Sequence, residues 1–221
     1  MFVISLLIDL GGIRGSFFDF LSPSTRSTLT LGASGAYPIT VYGSWWTVFS
    51  SPYLHGGLIH LGFNMAWVRF LSHMMVKFYS FSKLVIIYTL SSICGDVLTT
   101  MAAIHLPPPF AGAQMAVGAS GAVFGLFGAL VSYGLQSGSR SVSGAAWQFA
   151  VLGFIYGLLM PHTDNWGHLG GFLGGFALTH TPWLSYKSKD NAFTFILALL
   201  CFVAVLASII ASVLQQVTRG N

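Results

Sequence analysis

Six mainly apolar stretches limit what this chain can fold into more than any other feature. Each has close to the ~20 residues that a helix needs to cross a lipid bilayer. Charged residues make up only 6% of the chain, whereas a soluble domain carries about 25% to keep its surface wet. Lipid must therefore cover most of the surface, and we predict an all-α, polytopic bundle of transmembrane helices. The stretches are Leu58–Val76, Leu84–His105, Ala116–Gln136, Ala145–Met160, Trp166–Trp183 and Phe193–Leu214.

The two ends of the chain complete the predicted architecture. Met1–Leu10 is apolar but too short to span a bilayer. It lacks the basic start and the cleavage site of a signal peptide, so we interpret it as a first membrane helix that is short or incomplete. We expect a membrane core over residues 1–184 and a C-terminal transmembrane helix with its tail over residues 185–221. No transit peptide is evident, which favours a bacterial inner membrane; an organelle membrane is the alternative if the amino terminus is incomplete.

Lysine and arginine residues near the ends of the stretches predict the orientation. Positive residues in short loops stay on the cytoplasmic side of a membrane. The larger of two such groups should therefore be cytoplasmic, and the helices containing His60, Ser120 and His168 should all begin at the outer face. The larger group is Arg69, Lys77, Lys83, Arg140, Lys187 and Lys189, and the smaller is Arg14, Arg26 and Arg219.

Several classes of partner do not fit this sequence. The net charge of +4 is not gathered into the basic stripe that holds a nucleic-acid backbone. Cys94 and Cys201 lie in separate apolar stretches without metal-binding spacing. His162, His168 and His180 form no zinc pattern, and no HExxH motif occurs. We expect no nucleic acid, no metal and no cofactor.

Polar side chains inside three of the predicted helices are candidates for function, because such groups are costly in a membrane. His60 and Asn64 are four residues apart and share one helix face. Hydrogen bonding between helices is the alternative explanation for both. His168 lies on another of these predicted helices. Its alternative role is that of a histidine in the protein core whose hydrogen bonds are satisfied by neighbouring residues.

Ser120 lies in Gly118–Gly121 at the start of a predicted helix, where free N–H groups and the helix dipole favour a developing oxyanion. Helix capping is the alternative role. Gly32–Ala36 repeats the same five residue types as Gly118–Ala122, but in a polar segment followed by Pro38. Only Ser120 begins a membrane helix.

Two rows of glycine predict that the helices of Ser120 and His168 pack closely. Such packing could bring the hydroxyl and the imidazole within hydrogen-bond reach. A serine needs an adjacent base to become a nucleophile, and histidine suits that task near neutral pH. Donors for the oxyanion could come from His60, Asn64 and the Ser120 N–H. The rows are Gly167, Gly171 and Gly175 on one helix and Gly121, Gly125 and Gly128 on the other.

Taken in their order along the chain, the motifs resemble those of the rhomboid intramembrane serine proteases. The resemblance covers about Gly32 to His180 and implies a six-helix core followed by an extra C-terminal helix. Two features depart from the family pattern: Thr47 stands where an arginine usually follows the tryptophan, and Val76 stands near the place of an acid. The outer loop must therefore be held differently. The matching residues are Trp45-Trp46, His55-Gly56-Gly57, His60 with Asn64, Gly118–Gly121, and His168 with Gly171 and Gly175.

The resemblance implies a catalytic dyad of Ser120 as nucleophile and His168 as general base and acid, with His60 and Asn64 stabilising the oxyanion. It also implies that the ring of Phe124 lies against the imidazole. A triad with Asp164, one helical turn before His168, remains an alternative, although helix capping is the expected role of that carboxylate. For Asp96, mid-helix, pairing within the bundle is expected.

The implied reaction is hydrolysis of transmembrane segments near the outer membrane face through an acyl-enzyme. The expected partners are single-span transmembrane proteins and the lipid bilayer. Two other functions remain open: a non-catalytic chaperone on the same scaffold, and a small transporter. The chaperone would bind substrate helices without cutting them, whereas a transporter would require inverted repeats and broken helices that the sequence lacks.

Overall fold

The computed structural model describes residues 1–12, 21–160 and 163–219. The regular secondary structure of these residues is almost all helical, as predicted, apart from a small antiparallel pair of strands, β1 (Leu10–Gly12) and β2 (Ser22–Pro23). Arg14 and His162, which were used in the predictions above, lie outside the described residues. The helices are α1 (Phe2–Ile8), α2 (Thr25–Thr30), α3 (Ala36–Tyr42), α4 (Leu58–Phe78), α5 (Phe81–His105), α6 (Ser120–Ser137), α7 (Arg140–Leu159), α8 (Asn165–Leu178) and α9 (Ala192–Arg219).

The helix α8 is shorter than the predicted stretch Trp166–Trp183. Its 14 residues extend about 21 Å, which is less than the ~30 Å thickness of the hydrocarbon core. The hydroxyl of Thr179 donates back to the Gly175 carbonyl at 3.0 Å, and the chain continues in turns that bury Leu184. Among the described helices, α5, α7 and α9 are long and apolar enough to cross a membrane.

The helix α6 begins at Ser120, later than the predicted start at Ala116. Ala116 instead pairs with Ser34 through two backbone hydrogen bonds of 2.8 and 3.0 Å. Gly118 then adopts a φ of +124°, which a right-handed helix does not accommodate. The helix can therefore start only after this turn. By contrast, α7 starts earlier than predicted, at Arg140.

The centre of the bundle is α6, most of whose residues are buried. It is surrounded by α4, α5, α7 and α8. Lipid tails are as apolar as leucine, so helices associate in a membrane through close packing rather than through burial of apolar surface alone. The helices α6 and α8 make such a closely packed contact.

These two helices touch through their backbones. A Cβ atom on Gly175 would lie 1.9 Å from the Gly125 carbonyl oxygen, and one on Gly171 would lie 2.0 Å from the Gly121 carbonyl oxygen. No side chain fits at either distance. The predicted pairing of the two glycine rows is confirmed.

The opposite face of α8 also packs closely on α5, a contact that the sequence patterns did not predict. A Cβ atom on Gly170 would lie 2.5 Å from the Cys94 carbonyl oxygen, and one on Gly95 would lie 2.6 Å from the Gly167 carbonyl oxygen. The helix α8 therefore lies in a narrow slot between α5 and α6, and it carries His168 into the middle of the bundle.

The segment that joins α8 to α9 is fixed at the end of the bundle opposite to Ser120. Lys83, buried near the start of α5, donates from Nζ to the carbonyl oxygens of Ser185 and Ser188 at 2.8 and 2.5 Å. The Ser80 hydroxyl donates to the Asp190 carboxylate at 2.7 Å. The segment that leads into the C-terminal helix is thus tied to the bundle just before α9 begins, while the division into residues 1–184 and 185–221 stays a prediction.

The outer loop, which we define as residues 43–57 between α3 and α4, consists of two short 3-10 turns, Trp45–Val48 and Ser51–Tyr53. Much of it is buried, including Ser44, Ser50 and His55. Irregular backbone that lies within a membrane must find hydrogen-bond partners inside the protein. The loop therefore lies between the bundle and α9 rather than in lipid.

We predict that Gly175→Ala destabilises the protein by about 1–3 kcal/mol, because the added methyl forces the α6 and α8 backbones apart. The matched control is Gly144→Ala in α7, where a Cβ atom would meet nothing within 4 Å. Thermal unfolding in detergent micelles, followed by tryptophan fluorescence, should show a lower midpoint for the first variant only. Equal midpoints would contradict the backbone contact.

Candidate active site

The start of α4 lies beside the turn that precedes α6. A Cβ atom on Gly118 would lie 2.7 Å from Cε1 of the His60 ring and 3.7 Å from Nδ2 of Asn64. The positive φ of Gly118 also favours glycine at this position. His60, Asn64 and the Gly118 turn are therefore brought together two residues before Ser120.

Hydrogen bonds orient the two polar side chains of α4. Nδ2 of Asn64 donates to the His60 carbonyl oxygen at 3.0 Å, and the Gly56 N–H donates to Nδ1 of His60 at 3.4 Å. A neutral imidazole that accepts at Nδ1 carries its proton on Nε2. That Nε2 would lie 2.8 Å from a Cβ atom on Gly118. His60 thus presents an N–H donor to the turn before Ser120.

The ring of His55 packs against the ring of His60. The two rings meet edge-on, with centroids 5.3 Å apart. Both ring nitrogens of His55 are buried and have no hydrogen-bond partner among the described residues. Burial, with a further contribution from His60, lowers the pKa of His55 to about 3. His55 is therefore neutral at pH 7 and contributes packing rather than charge.

Ser120 is the first residue of α6 and is partly exposed. One turn later, the Phe124 ring stacks on the His168 imidazole, with centroids 4.1 Å apart and planes 8° from parallel, as the resemblance implied. The stack holds the imidazole beside the first turn of α6. Among the described residues, no direct hydrogen bond joins Ser120 Oγ to the His168 ring.

The carboxylate of Asp164 is the N-cap of α8 and does not orient the imidazole. Its Oδ1 accepts from the Gly167 N–H at 2.9 Å and from the Thr99 hydroxyl at 2.7 Å. The Thr99 hydroxyl in turn accepts from the Ala113 N–H at 2.8 Å. Nδ1 of His168 is buried without a partner in the described part of the chain. The capping interpretation of Asp164 is confirmed.

Ser51 connects the outer loop to the site, and the sequence analysis missed it. Its hydroxyl donates to the buried Asp96 carboxylate on α5, and its carbonyl oxygen accepts from the Gly118 N–H at 3.1 Å. The pairing of Asp96 within the bundle was expected, but its partner was not. A serine before a proline in a loop carries no pattern that could have identified it.

Apolar helices that pack through glycine, with a serine and three histidines near the start of the central helix, define an integral membrane protein with a polar site inside the bundle. Residues 42–185 match the Rhomboid domain. The chain therefore belongs to the rhomboid family.

Relatives of the chain include one protein named as a protease and one named as inactive. The chain is 28% identical to RHOMBOID-like protein 4 of Arabidopsis thaliana over 183 residues, which cover 78% of this chain and 44% of that protein. It is 29% identical to Rhomboid protease GluP of Bacillus subtilis over 161 residues, 71% of this chain and 30% of GluP. It is also 29% identical to Inactive RHOMBOID-like protein 8 of Arabidopsis thaliana over 158 residues, 69% of this chain and 42% of that protein. The chain thus spans less than half the length of these relatives.

We expect Asp164→Ala to destabilise the protein by about 0.5–2 kcal/mol, because the α8 N-cap and the bond from Thr99 are lost together. Asp164→Asn keeps an oxygen that can accept both hydrogen bonds, and asparagine caps helices as well as aspartate does. Its unfolding midpoint should therefore stay close to that of the wild type. A loss of equal size in both variants would show that the carboxylate charge, and not the cap, is what stabilises α8.

Proposed function

We propose that this chain is an intramembrane serine endopeptidase that cleaves transmembrane segments of single-span proteins through a Ser120–His168 dyad. The observation that supports this most is the stack of Phe124 on His168. This stack holds the His168 imidazole beside the first turn of α6, which begins at Ser120. The imidazole has no carboxylate partner among the described residues. Family membership supports the same class of reaction.

In the proposed reaction, Ser120 Oγ attacks the scissile carbonyl carbon while its proton passes to the His168 imidazole. The C–N bond then breaks, and the imidazolium gives its proton to the leaving amine. Water hydrolyses the remaining ester, with His168 again accepting and returning a proton. Serine–histidine hydrogen bonds are often long before substrate binds, so Ser120 and His168 would approach each other in the substrate complex.

The negative charge of the tetrahedral intermediate would be stabilised by donors at the Gly118 turn. His60 offers Nε2–H there, and Asn64 lies beside it with its amide anchored to the His60 carbonyl. The N–H groups at the start of α6 add the positive end of the helix dipole. Fixed donors of this kind stabilise the transition state without reorganisation during the reaction.

The substrate must expose a peptide carbonyl to Ser120, which an intact helix does not do because its carbonyls are hydrogen-bonded internally. Substrates with small or helix-breaking residues near the outer membrane face should therefore be cut best. The bacterial inner membrane expected from the sequence stays a prediction, since relatives from a plant and a bacterium resemble the chain to the same degree.

The decisive test is cleavage of a single-span substrate in proteoliposomes by the wild type, by Ser120→Ala and by Ser34→Ala. Ser34 is the matched control, because it has the same four neighbouring residue types as Ser120 but lies buried in the bridge to Ala116. We expect Ser120→Ala to lose on the order of 10³-fold or more in rate and Ser34→Ala to retain cleavage.

A fluorophosphonate probe should label Ser120 in the wild type and no other serine, as located by mass spectrometry. Binding of substrate without cleavage, together with no labelling, would support the non-catalytic chaperone instead. Solute flux that Ser120→Ala leaves unchanged would support a transporter.

The dyad is tested by Asp164→Asn in the same assay. A triad in which the carboxylate orients His168 predicts a loss of about 10⁴-fold. A dyad predicts a rate close to that of the wild type, because asparagine keeps the α8 cap. His168→Ala serves as the inactive reference, and a rate for Asp164→Asn as low as that reference would restore the triad.

A further inference from the structure

Three polar side chains in the C-terminal half of α9 form a stripe on one face of this mainly apolar helix. Ser208, Ser212 and Gln215 follow at intervals of four and three residues, which places them on one face, and Arg219 continues that face. Ser208 and Ser212 are each only 2% exposed. Lipid-facing positions of the same helix, such as Leu206, are apolar and exposed. The stripe therefore faces protein.

The two serines of the stripe hold Trp46 in the outer loop. The Ser208 hydroxyl donates to the Trp46 carbonyl oxygen at 2.7 Å, and Nε1 of Trp46 donates to Ser212 Oγ at 3.1 Å. Ser208 Oγ also lies 2.8 Å from Ser50 Oγ, and the Ser50 hydroxyl donates to the Gly32 carbonyl oxygen at 2.8 Å. Both ends of the tryptophan residue are thus fixed by α9.

The end of the stripe holds the start of the outer loop. The Ser44 hydroxyl donates to Oε1 of Gln215 at 2.5 Å, and Nε2 of Gln215 donates to the Tyr42 carbonyl oxygen at 3.0 Å. Arg219 donates to the same carbonyl at 3.0 Å, and its guanidinium lies 4.3 Å from the centre of the Tyr42 ring. The helix thereby satisfies backbone groups that lipid could not.

Thr47, the residue after Trp46, does not fill this role. Its hydroxyl donates to the Ser44 carbonyl oxygen at 2.7 Å, which is a contact within the loop itself. The side-chain hydrogen bonds that hold Trp46 come from Ser208 and Ser212 of α9.

We propose that the polar stripe of α9 positions the outer loop and, through it, the turn that carries Ser120. Ser50 is held by Ser208, and the next residue, Ser51, accepts the Gly118 N–H and donates to Asp96. Displacement of the loop would therefore move the Gly118 turn. The stripe residues are positioning residues, and their effect on catalysis rests on the proposed function.

The position of the loop is tested without reference to activity. Hydrogen–deuterium exchange of residues 42–51 is compared in the wild type, in the double variant Ser208→Ala/Ser212→Ala and in Thr218→Ala. Thr218 is the matched control, because its hydroxyl bonds to Gln215 within α9 itself. We expect exchange to rise at least about 10-fold in the double variant and to stay unchanged in the control. Unchanged exchange in both variants would overturn the proposal.

The effect on catalysis is tested with the same variants in proteoliposomes. We expect kcat to fall about 10- to 100-fold in the double variant with a much smaller change in KM, and labelling of Ser120 by fluorophosphonate to slow in parallel. Faster exchange with normal kcat would overturn the positioning role. A third outcome is faster exchange in the double variant together with a wild type that neither cleaves substrate nor is labelled. That outcome would keep α9 as the support of the loop and reject the protease function instead.

A double-mutant cycle separates positioning from general loss of structure. Trp46→Phe removes the N–H that Ser212 accepts, so Ser212→Ala should cost little additional kcat in that background if both act through one hydrogen bond. Full additivity, with unfolding midpoints equal to that of the wild type, would contradict a shared path to the site.

Discussion

Backbone contact between α6 and α8 is the constraint on which the rest of the structure depends. Carbonyl oxygens of α6 occupy the places where side chains of Gly171 and Gly175 would stand. In lipid, where burial of apolar surface gives helices little reason to associate, such close approach provides the packing energy. Because α5 also approaches the other face of α8 closely, α8 can be short and still be fixed. His168 is carried on this helix.

The non-helical part of the bundle follows a related rule, since each backbone group at membrane depth needs a partner. The segment before Ser120 finds its partners in Ser34, through a backbone bridge, and in Ser51. The outer loop finds its partners in the stripe of α9. The abundance of serine and threonine in these loops is therefore explained, because short hydroxyl side chains can bond to backbone carbonyls within a crowded interior.

Three histidines near the start of α6 are held in different ways. His55 is buried and neutral, His60 is oriented by a backbone N–H at Nδ1, and His168 is held by the face of Phe124. Asp164, the carboxylate nearest to His168 in sequence, is occupied by the cap of α8 and by Thr99. An imidazole stacked on an aromatic ring keeps its orientation without an ionic partner. The His168 imidazole therefore needs no carboxylate partner to keep its orientation.

The helical membrane class could be predicted from the sequence, because hydrophobic length is a local property of the chain. The spacing of the glycines showed which face of α6 and of α8 can be approached closely, and the spacing of His60 and Asn64 put both on one helix face, for the same reason. The end of α8 at Leu178, the start of α6 at Ser120 and the contact of α9 with the outer loop became visible only in the folded chain. Ser208, Ser212 and Gln215 were visible as a polar stripe, but nothing in their spacing says which distant residues they meet. Such pairings arise from how the chain returns on itself, and they depend on contacts more than 150 residues apart, such as that between Trp46 and Ser212.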